Sequence, residues 1–187
     1  MQYIVSVLIL FILIGNVLKL SFWRLWQATV FSCLCGLSVV VAQRWAVTRS
    51  KTQLDAFLAD SAVMQNFAVL LTVEAIIAFS FCFTGVFTEG KKSSPLQTAF
   101  HWYPGLLVFP ALFYLQTQLI FSTPGVNFSL LSYSLATAVA IALPLLSRLI
   151  KNLCPEKELR LEVYFLVSLF VCILGLITSA NKNIVYM

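Results

Sequence analysis

The sequence predicts an all-α fold: a polytopic transmembrane helical bundle of about six spans, forming one integral membrane domain over residues 1–187. Three observations carry this. Sixty per cent of the 187 residues are hydrophobic and only 10% are charged. A soluble domain carries about 25% charged residues and could not hide so much apolar surface. The apolar residues fall into long runs, and the twelve Lys and Arg sit almost entirely between them. The runs are apolar on both parities, which excludes the alternating strands of a membrane β-barrel.

The spans read as residues 2–18, 26–43, 64–87, 103–121, 127–147 and 161–180. Their lengths suit a hydrocarbon core about 30 Å thick, although the first is short. That first run has no basic n-region and no small-residue cleavage pattern, so it is expected to be a retained span rather than a signal peptide. Trp23 and Trp26 fall at the first connection, Trp45 at the end of the second span and Trp102 at the start of the fourth. These are interface positions, where an indole is favoured. Residues 49–62 place Leu54, Phe57 and Leu58 between charges, and either extend the second helix or lie along the interface.

The third span carries Glu74 near its centre. Residues 89–100, with Gly90, Lys91, Lys92 and Pro95, read as a mobile loop. In the fourth and fifth spans, Pro110 and Pro144 each remove an intrahelical hydrogen bond and are expected to bend their helices. Between these spans, Pro124 and Gly125 predict a type II turn and Asn127 a helix cap, so the two helices should form a tight antiparallel hairpin. Pro155, Glu156 and Glu158 mark the start of the last helix.

Orientation follows from the basic residues. With the N-terminus outside, the cytoplasmic connections hold Lys19, Arg24, Lys91, Lys92, Arg148, Lys151, Lys157 and Arg160, and the outer side holds Arg44, Arg49, Lys51 and Lys182. The excess predicts N-out and C-out. The uncharged first six residues agree.

Several function classes drop out. The net charge of +5 is spread over loops with no basic, aromatic-interleaved stripe, so no nucleic-acid partner is expected. The five cysteines are odd in number and mostly intramembrane, and Cys33 and Cys35 form a C-x-C, so no structural disulfide is expected. One histidine, His101, cannot provide bis-His haem ligation or a His-rich metal site. No cofactor or metal is expected. Nucleophile elbows, phosphate-binding glycine loops and zinc-protease helices are all missing, and the connections are too short for a catalytic domain. The chain is not expected to be an enzyme and offers no catalytic residue. A membrane enzyme acting on lipid or quinone is least favoured.

Glu74 is the residue on which a function can rest. An ionisable group at mid-membrane costs several kcal/mol unless it is protonated or paired. Tyr114, Gln116 and Gln118 lie toward the outer half of the fourth span. Ser129, Ser132, Tyr133 and Thr137 share one face of the fifth, with Ser134 beside them. These two polar stretches are close enough to meet, and a seam from them to Glu74 would serve as a proton or cation path. Two plainer roles stay open. Glu74 can be a protonated packing residue or pair with a basic residue of another subunit, while Ser, Thr and Gln can simply bond across helices.

The stretch HWYPGLLVFPALFYLQTQLIFSTPGVNF, residues 101–128, resembles a small polytopic inner-membrane protein of Bacteroidota haem-uptake systems. Those systems also contain an ExbB/TolQ-type proton-channel protein and a large chelatase-like protein. The chain lacks the three-span layout of ExbB/TolQ proteins themselves. The resemblance implies an accessory inner-membrane subunit of a force-driven uptake complex and transfers no catalytic residue.

The leading expectation is therefore an integral inner-membrane subunit of a larger assembly, accessory to nutrient or haem uptake driven by the proton motive force. Its partners would be the bilayer and other membrane subunits, including an ExbB/TolQ-like proton channel. The alternative is a small autonomous transporter or ion channel using Glu74.

Overall fold

Seven helices account for nearly all the residues that the computed structural model describes, which are 2–48, 61–87, 95–123 and 127–180. They are α1 (Gln2–Leu20), α2 (Leu25–Thr48), α3 (Ser61–Phe87), α4 (Pro95–Trp102), α5 (Val108–Ser122), α6 (Phe128–Leu153) and α7 (Lys157–Ala180). No strand occurs among the described residues. Four helices, α2, α3, α6 and α7, are long and apolar enough to cross a membrane, and α1 and α5 are shorter apolar helices. The outer surface fits lipid contact, with large apolar side chains such as Leu37, Ile76, Ile141 and Leu145 more than 60% exposed.

Two helix pairs form the frame. In the first, α2 turns a stripe of Ala28, Phe31, Ser32, Cys35 and Val39 inward at helical spacing, and α6 meets it with Ser132, Ala136, Leu143 and Ser147. The small residues let the two backbones approach closely. Gln43 near the end of α2 donates to Ser129 Oγ at the start of α6 at 3.0 Å, so the pair is antiparallel.

The second pair, α3 and α7, is held by a reciprocal arrangement. Leu161 of α7 fills the notch at Gly85 of α3, and Leu71 of α3 fills the notch at Gly175 of α7. The two leucine–glycine spacings are equal in number of residues, so one leucine–glycine contact mirrors the other about a local two-fold axis.

Helix α1 joins the pairs. Phe11 stacks on Phe170 of α7 at 5.7 Å, while Leu8, Ile9 and Ile12 pack with Leu107 and Ala111 on α5. The α1–α2 turn, the C-terminal ends of α3 and α6, helix α4 and the N-terminus of α7 gather at one end of the bundle.

The structure bears on the sequence reading at several points. The fourth apolar run is not one continuous helix. Residues 103–107 are irregular and helix starts only at Val108 with α5, while the short helix α4 precedes the run. Pro110 is the third residue of α5, where its missing N–H has no intrahelical partner to lose, so it starts a helix rather than bending one. Helix α6 continues through Pro144. Asn127 stands at the N-cap of α6 but makes no side-chain capping bond. Trp23 is buried, with its Nε1 donating to His101 O at 2.6 Å, whereas Trp26 and Trp102 are exposed. All five cysteines are free. The expected Pro124–Gly125 turn, most of the 49–62 segment and the lysine-bearing part of the 89–100 loop lie outside the described residues.

Candidate functional site

The break in the fourth apolar run is built around Glu74. Tyr103 Oη donates to Glu74 Oε2 at 2.8 Å, and the Leu106 backbone N–H donates to the same oxygen at 3.3 Å. Glu74 therefore caps α5 from another helix. It satisfies an N–H group that has no intrahelical partner and places a carboxylate at the positive end of the helix dipole. Backbone that is not helical at membrane depth needs such partners, because hydrocarbon supplies none.

Gly105 makes the approach possible. Its φ is +100°, which side-chain-bearing residues rarely adopt, and a Cβ there would lie 2.7 Å from Glu74 Oε1. The sequence Tyr103-Pro104-Gly105-Leu106-Leu107 thus acts as a unit. The tyrosine and the Leu106 amide donate, and the glycine leaves room.

Helix α1 completes the site. Asn16 Nδ2 makes a long 3.5 Å contact to Pro104 O, and Asn16 Oδ1 is buried without a partner among the described residues. Lys19, only 3% exposed, donates from Nζ to Phe100 O at 3.0 Å and sits over the Phe81 ring at 2.9 Å from its centroid. It is near enough to Glu74 for the two charges to interact. Asn16, Lys19, Glu74, Tyr164 and Ser168 line one cavity of about 50 Å³. That is room for one or two water molecules, and the lining supplies the polar partners that buried water needs.

The other polar residues singled out by sequence lie elsewhere. Gln116 is buried in the α2–α5–α6 junction, where its Nε2 donates to Val39 O at 3.1 Å and to Ser132 Oγ at 3.0 Å. Its Oε1 has no partner among the described residues. Gln118 donates to Tyr114 Oη at 3.0 Å, within one helix. Tyr133 is exposed, and Thr137, also exposed, donates to backbone carbonyls of its own helix, Tyr133 O and Ser134 O. The α5 and α6 polar stretches do meet, through Gln116 and Ser132. None of these hydrogen bonds extends to Glu74.

Sequence reasoning missed Asn16, Lys19, Tyr103 and Gly105. Lys19 was grouped with the loop cations. The Pro-Gly pair at 104–105 inside an apolar run was the signal available for the break. Among the described residues no cluster of His, Cys, Asp and Glu could hold a metal. Comparison with known proteins gives no match to a family model, a curated protein or a solved structure.

Proposed function

We propose that this chain is a six-span, multi-pass inner-membrane protein with both termini outside, and that Glu74 is its proton-binding site. In this reading it serves as a subunit of a larger assembly for nutrient or haem uptake driven by the proton motive force, beside an ExbB/TolQ-like proton channel. The observation that carries the reading is the Glu74 carboxyl group held at the N-terminus of the interrupted span, with Lys19 within electrostatic reach. An intramembrane acid so placed is costly, and its upkeep points to use. The cavity beside the carboxyl group, about 50 Å³, has room for water, which supports a proton as the species handled there. The orientation is supported by Lys19, Arg24, Arg148, Lys151, Lys157 and Arg160 gathering toward one end of the bundle.

A second reading, an autonomous transporter, is favoured by the broken helix itself. Secondary transporters place the ends of interrupted helices at mid-membrane ligand sites.

Glu74→Gln tests the proposal. Glutamine retains an acceptor for Tyr103 and the Leu106 N–H, but it cannot titrate. The variant is expected to assemble with its partners, read by copurification in mild detergent, and to lose uptake in the intact system. Normal uptake by the variant would overturn the proton role. Transport by the purified chain alone in liposomes would favour the second reading.

A further inference from the structure

A second cavity, of about 380 Å³, opens where the α1–α2 turn, α4, the end of α6 and the start of α7 converge. Its lining includes Ser21, Thr98, His101, Lys151, Lys157 and Arg160, and no Asp or Glu among the described residues. Glu156, Glu158 and Glu162, the nearest acids in sequence among the described residues, are exposed and outside the lining.

Arg160 gives this cavity its character. The residue is 7% exposed, its guanidinium donates from one Nη to Ser21 O at 3.0 Å, and its plane sits against the Phe22 ring, 5.1 Å from the centroid. Its Nε–H is buried with no partner among the described residues. A guanidinium left with an unused buried donor, beside two lysines and the Thr98 hydroxyl, is suited to a multidentate oxyanion. His101 reports the same field. Burial first, and then the positive charges of Lys19 and Lys157, hold its imidazole below the ordinary value.

We propose that this cavity binds a phosphate group carrying net negative charge, with Arg160 as the anchoring donor and Lys151 and Lys157 as the flanking cations. Its place at the basic end of an apolar bundle suits the headgroup of an anionic phospholipid, for which pockets of this kind between membrane helices are fitted. A soluble phosphate would use the same donors. The site is separate from Glu74, so its fate does not depend on the proton reading.

The test uses the purified full chain in nonionic detergent, titrated with short-chain phosphatidylglycerol, with phosphatidylcholine and with inorganic phosphate, and read by thermal stabilisation and by native mass spectrometry. Saturable binding of phosphatidylglycerol over phosphatidylcholine is expected. Lys151→Gln and Lys157→Gln, both at exposed positions, should each weaken it about fivefold, the worth of one cation at an anionic surface. Arg24→Gln removes an equal charge outside the cavity and should leave binding unchanged. Binding of inorganic phosphate alone, with the same lysine dependence, would support the site with a soluble source. Binding of neither, or equal sensitivity to Arg24→Gln and Lys157→Gln, would overturn the proposal.

Discussion

Replacing Gly105 by alanine puts the geometry of the Glu74 site to a quantitative test. Two costs arise. An alanine held at φ +100° carries a backbone penalty of about 1–2 kcal/mol. The added Cβ would meet Glu74 Oε1 at 2.7 Å, so the carboxyl group must withdraw from the loop. Losing one of its hydrogen bonds, from Tyr103 or Leu106, costs about 1.5–3 kcal/mol for a charged acceptor. Gly105→Ala should therefore destabilise the chain by about 2.5–5 kcal/mol. In a Glu74→Ala background the clash is gone and only the backbone penalty should stay, about 1–2 kcal/mol. The assay is a four-member cycle of the wild type, both single variants and the double variant, each unfolded in mild detergent. The expected coupling is about 1.5–3 kcal/mol. If Gly105→Ala costs the same in both backgrounds, the close approach of loop and carboxylate is refuted.

Two further outcomes follow from the packing and from His101. Gly175→Val should destabilise by about 1–3 kcal/mol through overpacking against Leu71, which is 2% exposed and has little room to move, and adding Leu71→Ala should restore part of the loss on thermal unfolding. Because the His101 imidazole is held below its ordinary value, the unfolded chain takes up its proton first as pH falls. Stability should then decline as pH drops below about 6.5, and His101→Gln should flatten that limb of a melting-temperature profile.

Much of this architecture is legible from composition and run length. The apolar runs locate the starts of the long helices to within about four residues and their ends to within about six, because a helix facing lipid on most sides needs no amphipathic pattern to be seen. The meeting of Gln116 with Ser132 is legible too, since a short connection forces their helices together. The interruption at 103–107 is a different matter. Hydropathy treats Tyr103–Leu107 as ordinary span residues, and nothing local shows that the amide groups freed there find an acceptor. That acceptor is 32 residues earlier in the chain for Leu106 and 29 earlier for Tyr103. Lys19 was misplaced for a related reason. A lysine ending an apolar run normally reaches for the headgroups, but here the Phe100 carbonyl and the Phe81 ring hold it inside.

The separation between Glu74 and its donors also bears on how the chain is made. At a synthesis rate of about 5–20 residues per second, the acid emerges from the ribosome about 1.5–6 s before Tyr103 follows it. During that interval the carboxyl group has none of the donors that cap it in the finished bundle. A helix with such an acid at its centre has reason to wait at the translocation channel until its successor arrives. Helix α3 and the interrupted segment after it are then expected to enter the bilayer together as a hairpin, and variants lacking the Tyr103 hydroxyl should lengthen the stay of α3 beside the insertion machinery.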